Sequence, residues 1–216
     1  MTTRPTDGAT PPRPARPGVE PADSGTGVSP RLATRVNPGP TAPRRRRRLF
    51  VLVGVAGVLV IGFALATVRL FVLPHRDAPA RADAIVMFAG SPGRLERAVA
   101  LARTGYAPVL AVSTPTADDP CPRGLTGVEV ICFAPRPLTT RGESRWLAAA
   151  AAQRGWHSVL VITATTQTTR ARLRLGRCYH GDARMIGVSP PRGMWPYMIA
   201  YEWAAMGKAL LLQRGC

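Results

Sequence analysis

Five short apolar runs punctuate the last two thirds of the chain, at residues 84–89 (AIVMFA), 109–113 (VLAVS), 128–133 (VEVICF), 158–163 (SVLVIT) and 184–188. Between them, residues 94–103, 142–154 and 168–178 carry apolar side chains at amphipathic helical spacing, and residues 196–213 close the chain with a fourth such segment. Runs that are apolar at successive positions, rather than at alternate ones, predict strands covered on both faces, which is the habit of parallel sheets. The alternation predicts an α/β fold, a Rossmann-like three-layer sandwich with a mainly parallel sheet. Residues 114–127 (TPTADDPCPRGLTG) have no period and are rich in Pro, Asp and Gly, so they predict a surface loop over the strand ends.

Upstream, the pattern changes. Residues 49–73 (LFVLVGVAGVLVIGFALATVRLFVL) are apolar except for Thr67 and Arg69, a length that spans a hydrocarbon core. Arg44 to Arg48 precede them directly, and positive charge beside the first apolar segment holds that end in the cytoplasm. Arg69 lies near the outer end, where a long side chain snorkels to the interface. The expectation is a single-pass signal anchor in the plasma membrane, with the N-terminus cytoplasmic and residues 81–216 forming an extracytoplasmic domain. A cleaved signal peptide is the alternative, since Ala64-Leu65-Ala66 fits a small-residue cleavage pattern. Residues 1–48, rich in Pro, Gly, Thr and Arg and nearly free of large apolar side chains, are expected to be a disordered basic tail.

Charge adds one point. The chain carries a net charge of +17, shared between the tail and the domain. Clustered guanidinium groups suit nucleic acid, anionic lipid or a phosphorylated ligand. A near-total preference for Arg over Lys, in a chain rich in Ala, Gly and Pro, is also what GC-rich coding produces. The exported placement and the lack of interleaved exposed aromatics argue against nucleic acid.

Four cysteines make an even set, and the oxidising side of a membrane permits disulfides. Cys121 and Cys132 are placed to staple the 114–127 loop to the third strand, and Cys178 with Cys216 to tie down the chain end. Three connectivities remain open on sequence alone. No CxxC or HxxxH spacing occurs and the three histidines are scattered, so no metal site is expected. No GxGxxG follows a strand, so no nucleotide cofactor is signalled.

Ligands of open parallel sheets bind outside the carboxyl ends of the strands. There the first strand is followed by Gly90, Ser91 and Arg94, small residues and a cation at a helix start. The second ends at Ser113. Thr140, Arg141 and Glu143 open the helix after the third. Thr163, Thr166, Gln167 and Arg170 follow the fourth, offering hydroxyls, an amide and a guanidinium suited to phosphate. Glu143 has two readings: an acid or base in the crevice, or the second half of a Thr140-x-x-Glu143 capping box. The aromatics of the closing segment, Trp195, Tyr197, Tyr201 and Trp203, read as core or membrane-interface anchors.

The ordered series of Ala82-Asp83-Ala84-Ile85-Val86, Arg94-Leu95 with Ala98 and Leu101 before Gly105, Val112-Ser113, Thr140-Arg141-Gly142-Glu143, and Val161-Ile162-Thr163 with Arg170-Ala171 resembles the DUF218 family over about residues 81–190. That family includes YdcF-like proteins and the envelope factors called SanA and ElyC. The resemblance implies a Rossmann-like domain, often behind one transmembrane helix, and a link to envelope integrity and to peptidoglycan or lipid-carrier metabolism. The family motifs map onto Gly90, Arg94, Ser113, Glu143 and Arg170. At position 167 the family commonly carries a histidine, whereas this chain has Gln167, which cannot act as a general base or take up a proton.

Two functions follow as expectations. One is an envelope protein that binds a phosphate-bearing ligand, such as a cell-wall precursor, in the strand-end crevice. The other is a transferase or hydrolase of envelope precursors, with Glu143 as acid or base and Arg94 and Arg170 clamping phosphate.

Overall fold

The computed structural model describes residues 42–216, and the architecture below belongs to the unit Arg46–Cys216. The reading of the tail as disordered lies outside the described residues up to 41. Residues 42–48, placed by that reading in the tail, instead form the start of helix α1, Ala42–Thr67. Arg is a good helix former, and the apolar helix that follows supplies the nucleus, so the arginine run adds turns to a helix already begun. A single π turn, Val68–Val72, ends α1. Arg44–Val72 is the one helix among the described residues that is long and apolar enough to cross a membrane, and its most apolar 18-residue window is not buried by the domain.

The domain alternates strands and helices: β1 (Ala84–Met87), α2 (Arg94–Arg103), β2 (Val109–Ser113), β3 (Glu129–Phe133), α3 (Thr140–Arg154), β4 (Ser158–Ala164), α4 (Thr168–Leu175), β5 (Asp182–Val188) and α5 (Trp195–Leu211). All five strands pair in parallel in the order β3-β2-β1-β4-β5. The three central strands are buried at nearly every position, as their unbroken apolar runs predict. Alternate residues face opposite layers. Ile85, Leu110, Leu160 and Ile162 meet Ala98 and Leu101 of α2 on one side. Val86, Ala111 and Val161 meet Leu147 of α3 and Ala171 and Leu175 of α4 on the other.

The β2–β3 crossover carries no helix. The loop itself lays Leu125 and Val128 against the α2 layer, and a Cys121–Cys132 disulfide ties it to β3. The second disulfide joins Cys178 to Cys216. Of the three connectivities open in the sequence, this is the one that pairs each cysteine with the partner nearest in the fold.

The domain begins before residue 81, the boundary read from sequence. Asp77 Oδ2 accepts from Met185 N–H at 2.7 Å and from Arg172 Nη2 at 2.7 Å. Burial works against the Asp77 charge, but the Met185 N–H and Arg172 together hold its pKa below the ordinary value. Phe71 is fully buried and Thr169 Oγ1 donates to Leu70 O at 2.6 Å, so the end of the apolar helix is itself docked on the domain.

Candidate functional site

Strand order places a topological switch between β1 and β4, and a cleft of about 660 Å³ opens at their carboxyl ends. Its floor is built from the β1–α2 turn, the first turn of α3 and the turn before α4. Its wall comes from α5 and the β2–β3 loop.

The β1–α2 turn is shaped around one side chain. The Arg94 guanidinium is buried and folds back, donating from Nη1 to the Phe88 carbonyl at 2.8 Å and to the Ala89 carbonyl, and from Nη2 to Ser91 Oγ at 3.2 Å. Gly90 lies directly beneath it with φ of +131°, and a Cβ there would sit 2.6 Å from Nη2. Only glycine meets both demands, the backbone conformation and the close approach.

From α3, Glu143 reaches across to the same turn, where Ala89 N–H donates to Oε1 at 2.6 Å. The Ala89 peptide is thus held at both ends, by Glu143 through its N–H and by Arg94 through the carbonyl. The capping-box reading of Glu143 is corrected here. The helix cap is Thr139, whose hydroxyl accepts from Gly142 N–H, and Thr140 already lies within the helix. With the cap supplied one residue earlier, the Glu143 side chain is released into the crevice.

Burial raises the Glu143 pKa above its ordinary value, against the Ala89 N–H, the neighbouring Ser113 hydroxyl, and the charges of Arg94 and Arg170. The Ser113 hydroxyl lies beside the carboxyl without a well-formed hydrogen bond. Burial also lowers the Arg94 pKa to about 10, opposed by Glu143 and Glu202, so the guanidinium stays charged at neutral pH.

On the far side of Thr140, Arg170 makes a bidentate pair with Glu202 of α5, at 2.6 and 2.8 Å. Both side chains are almost wholly buried. Burial disfavours the Arg170 charge, but the Glu202 pair holds its pKa above the ordinary value. The Arg170 guanidinium also lies over the Tyr201 ring, 5.7 Å from its centroid. The Thr140 hydroxyl accepts from Arg170 Nη1 and from Gln167 Nε2, each at 2.8 Å. Two donors occupy both lone pairs of that oxygen, so its own proton is left to be donated.

The cleft therefore gathers Gly90, Ser91, Arg94, Thr140, Glu143, Gln167 and Arg170 from the sequence candidates, with Ser113 in an adjoining recess of about 180 Å³. Three candidates lie elsewhere. Arg141 turns away on the outer side of α3, where its Nη2 donates to the Cys216 carbonyl at 2.8 Å. Thr163 and Thr166 are wholly buried outside the cleft lining, with hydroxyls that find no protein partner. Thr163, in β4, is turned to the inner side by the pleat, and Thr166 is buried in the tight turn Thr165–Gln167 that follows the strand.

Sequence reasoning missed Glu202, Tyr197, Tyr201 and Asp119, which line the wall. One signal was present: Glu202 is the only acidic residue of the mostly apolar α5. Among the described residues no group of three His, Cys, Asp or Glu side chains is placed to hold a metal ion.

A carboxyl of raised pKa, two guanidiniums and a hydroxyl with its proton left to donate share the cleft. The charges of Arg94, Arg170, Glu202 and Asp119 balance in the cleft lining, so its net charge is set by whether Glu143 carries its proton. The stability consequence has a definite sign. A folded pKa raised above the unfolded one means that stability is greatest below the unfolded carboxyl value and falls as pH rises through the folded value. Glu143→Gln keeps the Oε1 acceptor and removes the titration. Thermal melts of the two proteins across pH are expected to show the wild type losing stability relative to the variant as pH rises out of the ordinary carboxylate range.

Comparison with protein families, with curated proteins and with solved structures returned no match for this chain.

Proposed function

We propose that the chain is a membrane-anchored cell-envelope protein whose extracytoplasmic domain binds a phosphate-bearing ligand, such as an envelope precursor, in the β1–β4 cleft. The observation that carries this reading is the pair of buried guanidiniums, Arg94 and Arg170, on either side of Glu143 and Thr140. Arg170 is already paired with Glu202, whereas Arg94 donates to two carbonyls and to Ser91 and makes no salt bridge among the described residues, so an anion in the cleft would compensate Arg94 and accept from the unspent Thr140 hydroxyl. The anchor and orientation rest on the apolar helix, the arginine run before it and two disulfides in the domain. The envelope setting rests on the resemblance to the DUF218 family.

A second reading, a transferase or hydrolase of envelope precursors, is favoured by one observation: Glu143 is free of any capping role, buried in the cleft, and shifted toward the protonated form. Gln167, on the cleft floor where the family commonly has histidine, supplies no second proton carrier.

The test is a thermal-shift panel on the full chain in detergent with inorganic phosphate, pyrophosphate, nucleotides, lipid phosphates and peptidoglycan-precursor fragments. A stabilising ligand is expected, bound more tightly as pH falls, because protonating Glu143 removes the negative charge beside Arg94. Thr140→Val and Arg94→Ala are each expected to abolish the shift. Arg170→Ala combined with Glu202→Ala, which leaves neither charge unpaired, is expected to do the same. Silence across the panel, or a shift untouched by all three variants, rejects the reading; turnover assayed on the bound ligand, lost in Glu143→Gln, distinguishes the enzyme from the binder.

A further inference from the structure

A helix on the surface of a soluble domain exposes several charges, and α5 exposes one, Lys208. Its buried side is Glu202, Met206 and Ala209. On a helical projection the opposite arc carries Tyr197, Ala200, Tyr201, Ala204, Gly207 and Leu211, with Lys208 as its one charge. Tyr197 is 71 % exposed, Tyr201 53 % and Leu211 69 %. Leu210 and Leu212 extend the apolar surface at the C-terminal end of the helix.

This face adjoins the membrane segment. Trp203 stacks on Phe63 of α1 with ring centroids 4.8 Å apart and meets Phe71 edge-on at 5.2 Å. Its indole N–H donates to Thr67 Oγ1 at 3.1 Å. A hydrocarbon core of roughly 30 Å takes about 20 helical residues, so a span counted from Leu49, the first residue after the arginine run, ends near Val68. Phe63 and Thr67 then lie in the last turns of the leaflet remote from the arginines. Trp203, seated on both, is held at the depth where indole and phenol rings collect in membranes.

We infer that α5 is an interfacial helix, its outward arc embedded in the headgroup layer of the membrane that α1 crosses, on the side opposite Arg44 to Arg48. The occupant of the apolar face is the bilayer because the face is continuous, through Trp203, with a helix whose apolar side chains are exposed from Leu49 to Leu65. Lys208 is the residue that such a placement tolerates, since its stem lies along the apolar surface while the ammonium reaches the phosphates. Tyr197 and Tyr201 belong both to this arc and to the cleft wall, so the mouth of the cleft opens at the headgroup layer. The inference rests on α1 spanning a membrane.

Full-length protein in liposomes tests it by fluorescence quenching with brominated lipids. Three positions are read, each as a single introduced tryptophan in a Trp203→Phe background, with the quenching of the background subtracted: Ala204→Trp on the outward arc, Leu59→Trp within α1, and Ala117→Trp in the β2–β3 loop. Ala204→Trp is expected to be quenched about twofold by lipids brominated high on the acyl chain, as seating some 5–10 Å into the headgroup boundary requires, and to resist aqueous iodide. Ala117→Trp is expected to show the reverse. Leu59→Trp quenched by deep bromines while Ala204→Trp behaves like Ala117→Trp overturns the interfacial helix and leaves the anchor standing. Ala204→Trp shielded from both quenchers means that protein covers the face, and also overturns it. Loss of Leu59→Trp quenching removes the anchor and the inference together.

Discussion

Glu202→Ala is expected to lower the stability of the chain by about 3–5 kcal/mol, the range for removing one partner of a buried ion pair. The Arg170 guanidinium would keep its burial and its bond to Thr140 but lose both charge-assisted bonds to the carboxylate, at 2.6 and 2.8 Å. Each partner is less than a tenth exposed, so water replaces the carboxylate only in part. Glu202→Gln is expected to be nearly as damaging, since the amide keeps the shape but leaves the guanidinium charge uncompensated. The apolar replacement Arg170→Met with Glu202→Leu is expected to recover most of the loss, because much of the cost is the stranded charge rather than the missing attraction. Thermal and denaturant melts in detergent measure all three. Glu129→Ala, which removes a solvent-exposed pair with Arg154, serves as the control and is expected to change little. A Glu202→Ala protein as stable as the control would mean that the pair contributes no net stability.

The second large effect is at Gly142. A Cβ built there lies 1.9 Å from the Pro137 carbonyl oxygen and 2.9 Å from the Arg136 carbonyl carbon, both of them backbone atoms that cannot swing aside. Gly142→Ala therefore forces the first turn of α3 away from the loop that precedes it. Overpacking of this kind costs typically about 1–3 kcal/mol, and a contact with backbone belongs at the upper end or beyond. The movement also carries Thr140 and Glu143, on the same turn, out of reach of Gln167 and Ala89. Ligand binding is thus expected to fail even in detergent conditions where the variant stays folded. Gly207→Ala, in α5 with nothing within 4 Å of the added methyl, is the matched control and is expected to be neutral or slightly stabilising. Circular dichroism melts with the binding assay separate the two outcomes, and a Gly142→Ala protein with unchanged stability would show that the loop is free to yield.

The two experiments bear on one architectural point. The cleft is held from opposite sides, by the α3 turn packed under Pro137 and by α5 pinned through Glu202. The same α5 carries Trp203 onto α1. Displacement of α1 would reach Arg170 through one residue step in α5 and, at Thr169, through one residue step in α4.

The layers of the fold were legible because burial on both faces leaves unbroken apolar runs: β1, β2 and β4 could be read directly, and α2 and α3 by their spacing. The long apolar helix α1 was legible for the same reason, since about 20 apolar residues in succession are enough to span a hydrocarbon core. Sequence also located the crevice residues Gly90, Arg94, Glu143 and Arg170, because a parallel sheet presents its strand ends on one side. It could not divide the threonines. Thr140 bonds Arg170 in the cleft while Thr163 and Thr166 are buried outside it, a choice made by the pleat at Thr163, by the turn after β4 at Thr166 and by where α3 crosses the sheet. Nor could it see that Thr139 rather than Thr140 caps α3, a shift of one residue that turns Glu143 from a structural carboxylate into a cleft one. Arg141 and Arg170 read alike as cations near strand ends, and the 3.6-residue turn sends one outward to Cys216 and the other inward to Glu202. Chain order determined which residues lie along each strand and helix. Tertiary packing alone decided which distant side chains share a low-dielectric space, because ion pairing and pKa depend on separation in space, and α5 lies some thirty residues along the chain from the arginine it completes.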